Sequence, residues 1–303
     1  MLLLYCADPL AQRRPDAAYA AEVAAAERNG LAYALLNFEA LIDQGDAARA
    51  TQAVPAQSTP TLAIYRGWML RPAQYAELYA ALLERNVRLI NDPPAYRHCH
   101  YLPESYAQIA HRTPRTVWLP LAPGEAPTDE TLGESLNEFG ERPLIVKDYV
   151  KSRKHEWSEA CFVPSAADIG HVQRVVRRFL ELQGGDLAEG LVFREYVAFA
   201  PLGTHPRSGM PLTREYRIFW LDDAPLLTAP YWGEGAYAGD EPPVATFQPV
   251  AAQIDSRFFT MDVAQRADDG GWQIVELGDG QVAGLPERAD VNQFYQGLAR
   301  TTS

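Results

Sequence analysis

Apolar residues fall in short runs and helical stripes that alternate along the first ninety positions. Runs at 2–6, 31–38, 61–65 and 87–91 read as strands. Between them, an alanine-rich stretch at 16–29 reads as a helix, with Asp16 at its start and Gly30 past its end. Residues 72–85 read as a second helix, with Tyr75, Leu78, Leu82 and Leu83 along one stripe. Strands alternating with helices predict a small α/β domain with a mostly parallel sheet. Asn91-Asp92-Pro93-Pro94 punctuates its end, so a first domain is expected over 1–94.

The pattern changes after that. Helices are expected at 103–112 and 132–139, strands at 115–120 and 143–150, and a Pro-rich turn at 121–128. A long amphipathic helix carries Ile169, Val172, Val176 and Phe179; Ser165 is its expected cap and Gly184-Gly185 its end. Strands follow at 191–199, 214–221, 226–232, 258–264 and 272–277, with hairpin turns at 222–223 and 267–271. Two long loops, 200–211 and 233–249, are rich in Gly, Pro and aromatics, and loops of that length in a compact domain often carry function. A last helix covers 289–300. The second domain, 95–303, is therefore α+β.

The balance of 27 Lys+Arg against 39 Asp+Glu gives a net charge of −12, so duplex DNA or an anionic membrane is not held through overall charge. No apolar run approaches the roughly 20 residues of a membrane span, and residues 1–6 lack the basic flank of a signal peptide. A cytoplasmic protein is expected. Cys6, Cys99 and Cys161 are scattered and odd in number, which predicts reduced, buried thiols rather than a disulfide scaffold or a thiolate zinc site. His98, Cys99 and His100 are adjacent but lack zinc-ligand spacing. No nucleophile elbow, P-loop or HExxH motif occurs.

Against this acidic background one segment is basic. Residues 142–155 hold Arg142, Lys147, Lys151, Arg153 and Lys154. Lys147 lies in the apolar run Leu144-Ile145-Val146-Lys147, and Lys151, four residues on, shares its side if the chain stays extended. Two ammonium groups on one side of a strand suit a polyphosphate. A hairpin through 267–271 would set Asp262 against Glu276. Two adjacent carboxylates repel unless a cation lies between them, so removing either is expected to leave the metal-free protein no less stable. Oxygen ligands beside a phosphate site suit Mg²⁺, and Asp279 is a third candidate. Phe193-Arg194-Glu195-Tyr196-Val197 and Arg214-Glu215-Tyr216-Arg217-Ile218 place charges in strands that otherwise read as buried, where they need partners or ligands.

Taken in order, these segments resemble the ATP-grasp superfamily, and within it the clade named for one arginine and two lysines. Lys147-Asp148-Tyr149-Val150-Lys151-Ser152, Phe193-Arg194-Glu195-Tyr196-Val197, Glu215-Tyr216-Arg217 and Val275-Glu276-Leu277-Gly278-Asp279-Gly280-Gln281 carry the match, with Tyr65-Arg66-Gly67-Trp68-Met69 in the first domain. The resemblance implies an ATP-grasp fold with an N-terminal α/β (pre-ATP-grasp) domain, with ATP between two α+β halves. It implies an ATP- and Mg²⁺-dependent ligase that joins a carboxylate to an amine or other nucleophile through an acyl-phosphate, releasing ADP and phosphate. Lys147 would meet the α- and β-phosphates. Arg194, Glu195, Tyr196, Val197 and Glu215 would contact the nucleotide. Asp262, Glu276 and Asp279 would hold Mg²⁺. Lys151, Arg217 and Arg66 would serve catalysis and the acceptor, a small molecule or peptide.

Two positions depart from the superfamily pattern. Gly278 stands where Glu-x-Asn expects Asn, leaving Asp279 or Gln281 to substitute. The usual first lysine has no obvious counterpart, and Arg112 or Arg115 is the candidate to replace it. Phosphoryl or nucleotidyl transfer to RNA along 142–155, with Tyr149 and Trp157 stacking, is a second reading that the acidic balance disfavours. A non-catalytic ATP-binding module is a third.

Overall fold

The computed structural model describes all residues except 123, 206–208, 240 and 302–303. Parts of the expected turn at 121–128 and of the loops 200–211 and 233–249 thus lie outside the described residues.

Leu2–Asp8 is the central strand of a five-stranded sheet, parallel to Ala32–Leu36 and to Thr61–Arg66, which in turn pairs with Val87–Leu89. Residues Leu2 to Ala7 are buried without interruption, because a parallel strand covered on both faces reads as a continuous apolar run. Ala11–Pro15 adds an antiparallel edge that the sequence pattern does not predict: its side chains are largely exposed and show no apolar alternation. Asp16 accepts from the Ala18 N–H and caps a short 3₁₀ turn, so the α-helix starts only at Ala20. Two unpredicted short helices, Phe38–Ile42 and Ala47–Ala50, are capped by Asn37 and Asp46.

Asp92-Pro93 also opens a helix. Asp92 accepts from the Ala95 N–H and Pro93 occupies the first turn, where its missing N–H costs nothing, so the helix Pro93–His100 follows at once. Leu102–Ile109 continues it. Next comes an antiparallel sheet in the order Thr116–Pro120, Gly190–Glu195, Leu144–Asp148, Phe162–Val163, covered by the helices Asp129–Leu136 and Ile169–Gln183. Asp168 rather than Ser165 caps the long helix, accepting from the His171 N–H at 2.9 Å.

The last sheet is also antiparallel: Ala224–Pro230, Glu215–Leu221, Phe258–Gln265, Trp272–Asp279. Asp222 and Asp223 both adopt positive φ (48° and 62°), the turn type whose twist matches a two-residue hairpin. One face of this sheet contributes Phe219, Leu221 and Phe258 to the core beneath the N-terminal sheet. The helix Val291–Arg300 joins that core through Phe294, Tyr295 and Leu298. Further along the strands the same face becomes charged with Arg217, Asp262 and Glu276. Alternation has kept Arg217 and Asp262 on one side, a β-bulge between the Val263–Ile274 and Asp262–Glu276 pairs turns Glu276 to that side as well, and there the sheet meets the lysine strand Leu144–Asp148. All three cysteines are free and buried. No described helix is long and apolar enough to cross a membrane.

Candidate active site

Asp262 and Glu276 are cross-strand partners, as the hairpin reading requires. The structure interleaves them with cations. Arg217, the partner of Asp262 on the other side, donates from Nε and Nη2 to the two Asp262 oxygens at 2.8 and 2.7 Å. Its Nη1 donates to the Gly284 carbonyl at 3.0 Å. Lys147 reaches across from the other half of the fold, and its Nζ donates to Glu276 Oε2 at 3.1 Å. Burial alone would push the Glu276 carboxyl up; Lys147 and Lys154 outweigh it and hold the group at about 2. Burial likewise raises Asp262, against the pull of Arg217. Glu215 is 4% exposed, and burial pushes its carboxyl to about 7 despite Lys154 nearby.

Lys151 departs from the extended-chain expectation. The Asp148 carboxylate captures the Val150 and Lys151 N–H groups at 2.7 and 2.5 Å, an Asx-type turn that ends the strand at Asp148. Ser152 then pairs back with Lys147, and Lys151 is left exposed in the turn between them. Two site groups were not singled out from the sequence. Lys154 sits over the Tyr231 and Trp232 rings. His100, on the helix that the Pro-Pro pair opens, is pushed down to about 4 by burial first and then by Lys151 and Lys147. Only the Asp-Pro-Pro start signal could have exposed it.

The expected nucleotide hinge leaves the strand Gly190–Glu195. The Glu195 and Tyr196 N–H groups donate to the Arg115 and Pro143 carbonyls, both at 2.8 Å, and the Tyr196 ring packs edge-on to Phe162. Arg194 turns inward, and its Nη2 donates to Thr113 Oγ1 at 2.5 Å and to the Ile274 carbonyl at 3.2 Å, which ties the two halves together. Val197 is half-buried just beyond.

The structure does not bring Arg66 or Asp279 to this cluster. Arg66 is 0% exposed and pairs with Glu22 through Nε and Nη2, while its Nη1 donates to the Gly280 and Ala283 carbonyls. Asp279 lies one pleat out of step with Glu276 and accepts from Asn91 Nδ2 at 2.6 Å and the Gln281 N–H at 2.9 Å. Gln281 is spent on Tyr65 and Tyr75. At Gly278, a Cβ would come within 2.7 Å of Thr260 Oγ1, so the Asn of the superfamily pattern has no room. Arg115 is on the surface, paired with Glu138. Among the described residues, no group of three or more His, Cys, Asp or Glu side chains is arranged to hold a metal. Two carboxylates from adjacent strands, Asp262 and Glu276, still fit Mg²⁺, which takes one or two protein carboxylates and completes its shell with phosphate oxygens and water.

The family model for the ATP-grasp domain of the one-arginine, two-lysine clade, family 3, matches residues 133–298. The chain belongs to that family. Lys147, Arg217, Asp262 and Glu276 all lie within the matched part of this ATP-grasp protein, and Arg66 lies outside it. Among solved structures, D-cycloserine synthetase DcsG is similar over 100% of both chains, at 16% identity and a TM-score of 0.59. A RimK-domain ATP-grasp protein from Sphaerobacter thermophilus shows 12% identity over 99% of this chain and 98% of its own, with a TM-score of 0.59. The ATP-grasp ligase PsnB, solved with a minimal precursor variant, Mg and ADP, shows 13% identity over 99% and 98%, with a TM-score of 0.59. These likenesses are of fold. No curated protein matches the chain.

Asp279 supplies a pH prediction. Burial raises its carboxyl to about 7, against Asn91 and Gln281, from an ordinary value of about 4. A raised acid binds its proton more tightly when folded, so the native state holds more protons than the unfolded one between those values. Stability from this group is therefore full below about pH 4 and is lost as pH rises through about 7. The urea midpoint should fall between about pH 5 and about pH 8, and Asp279→Asn should flatten that slope. An unchanged slope in Asp279→Asn would exclude Asp279 as its source.

Proposed function

We propose that the protein is an ATP-dependent ligase that activates a carboxylate as its acyl-phosphate and passes the acyl group to an amine or other nucleophile, releasing ADP and phosphate. The observation that carries this reading is the contact between Lys147 and Glu276, which joins a phosphate-type cation and a metal-type carboxylate from two different sheets. In this reading Lys147 turns from Glu276 to the α- and β-phosphates. The segment Glu195-Tyr196-Val197 lies along the adenine. Arg217 faces the transferred phosphoryl group, and Lys151 closes on it from the edge. Asp262 and Glu276 hold Mg²⁺, which when bound neutralises charge that develops on the phosphates. Catalysis is then positioning and electrostatic stabilisation, with no side-chain nucleophile. The fold shared with PsnB, solved with precursor peptide, supports a peptide or small-molecule acceptor.

Thermal unfolding should shift upward with ATP and Mg²⁺, by about 2.7 kcal/mol of added stability at a hundredfold excess over Kd, and less with ATP and EDTA. No shift at millimolar Mg-ATP would exclude the reading. Release of pyrophosphate in place of ADP would point to nucleotidyl transfer instead.

The two lysines should separate. Lys147→Ala should weaken ATP binding by about 1.5–3 kcal/mol, the worth of a charge-assisted bond. Lys151→Ala should leave ATP affinity nearly intact and lower kcat, because an exposed lysine joins the site only as the cleft closes. ATP titration beside steady-state kinetics decides. Wild-type turnover in Lys151→Ala would remove it from the site.

A further inference from the structure

Lys154 belongs to the basic segment between the lysine strand and Phe162–Val163, yet its ammonium lies in the other half of the fold. It sits 5.7 Å from the Tyr231 ring centroid and 5.6 Å from that of Trp232, both within cation–π range. The two rings meet edge to face, with centroids 4.8 Å apart and planes at 74°. Three acids surround this position electrostatically: Glu215, Glu276 and Asp262. Two of them are committed, Asp262 to Arg217 and Glu276 to Lys147. Glu215 is buried, and among the described residues its carboxylate has no ion-pair partner. The Tyr231 N–H donates to the Glu215 carbonyl at 2.9 Å, so Glu215 and the two rings line one box for a positive charge beside Arg217.

Lys154 fills that box through ring faces and charge rather than through direct hydrogen bonds. Among the described residues its ammonium makes no hydrogen bond and no ion pair within the ordinary contact distance, so only ring faces and longer-range attraction hold it. The Trp232 indole N–H is withdrawn from solvent and has no hydrogen-bond partner either, which leaves a donor unused beside the box. A primary ammonium has three donors and gains most where an acid and π-faces converge in a desolvated pocket. A hydroxyl or a neutral amide gains none of the charge-dependent part.

We propose that Tyr231, Trp232 and Glu215 form a binding site for the organic ammonium group of the acceptor, and that Lys154 is the chain's own occupant, displaced when the acceptor binds. That the ammonium belongs to an acceptor rests on the ligase reading; that the box binds an ammonium does not. Arg217 lies 4.9 Å over the same Tyr231 ring, which puts the box beside the group assigned to the transferred phosphoryl. An acceptor anchored there would be next to the bond that forms.

The probe is n-butylammonium, a copy of the lysine side chain, with n-butanol as the neutral control. In wild-type protein carrying ¹³C at lysine Cε, the Lys154 resonance should be shifted by the two rings and should move to its solvent-exposed position on titration with butylammonium but not butanol. Lys154→Met, which removes the internal competitor, should bind butylammonium about tenfold more tightly than wild type, and Glu215→Gln in that background should abolish the gain. A Lys154 resonance that ignores butylammonium, or a Lys154→Met variant that binds it no better than butanol, would overturn the proposal. ATP-dependent ADP release is scored separately. Butylammonium binding without ADP release under any amine or other nucleophile sinks the ligase reading and supports the box; ADP release without ammonium binding sinks the box alone.

Discussion

Replacing Arg66 by Met should cost about 3–5 kcal/mol of stability, the penalty for removing one partner of a buried ion pair. The resemblance places Arg66 on the acceptor side; the structure buries it completely. The Glu22 carboxylate would lose its cation and keep only the Tyr295 hydroxyl at 2.5 Å. The Gly280 and Ala283 carbonyls would lose the donor that ties the end of the glutamate strand to the N-terminal sheet. Denaturant unfolding of the variant measures the first effect, and kcat per folded molecule measures any second. Because no Arg66 atom reaches the charged cluster, kcat should stay within about twofold of wild type, as expected for a site outside the machinery. The double variant Arg66→Met with Glu22→Leu should recover much of the loss, since a well-packed apolar pair often equals a buried ion pair. A stable Arg66→Met protein with collapsed turnover would restore the acceptor-side role.

Asp262→Ala should lower both stability and turnover. From the sequence, removing one of two opposed carboxylates relieves a repulsion. The structure reverses the sign, because Asp262 is 1% exposed and holds both ends of the Arg217 fork, and Ala would strand that guanidinium at 15% side-chain exposure. The expected loss is about 3 kcal/mol without any metal present. If the proposed ligase reading holds, turnover should fall by on the order of a hundredfold or more, because Arg217 would lose its aim and Mg²⁺ one of its two proposed carboxylates. Asp262→Asn keeps the shape and one acceptor, so it should recover part of the stability and little of the turnover. Urea unfolding in EDTA isolates the stability effect. A metal-free Asp262→Ala protein at least as stable as wild type would mean that the Arg217 pair contributes nothing.

The readable part of the site was the part built by neighbours in the chain. Lys147 interrupts an apolar run, and a charge there must face a partner. Asp262 and Glu276 lie on the two strands of one hairpin, which the sequence showed; the turn register by itself would set Asp262 against Val275, and a β-bulge next to Asp262 brings Glu276 opposite it instead. Strand and helix boundaries missed where local side chains intervened. Asp148 captured two N–H groups and cut the lysine strand short, so Lys151 lies in a turn beyond the strand and not four residues on along an extended chain. Asp168 took the cap from Ser165 by standing next to the first helical turn. Ala11–Pro15 forms because the end of the first strand offers it a partner, and its own pattern says nothing.

Alternation within strands, the existence of the hairpin and the alternating texture of the first domain are short-range properties, so the chain alone determined them, along with the family to which they belong; the bulge that sets Glu276 against Asp262 is not among them. Which charge meets which is a long-range property, and only the packing of three sheets decided it. Arg66 and Asp279 look as available in the sequence as Arg217 and Glu276. They became structural because the core that joins the last sheet to the first domain closes over them, and a buried charge must be paired where it lies. Lys154 looked like one more cation of a basic segment. It is distinguished only because two aromatic rings and an unpaired acid, more than sixty residues further along the chain, converge on its ammonium.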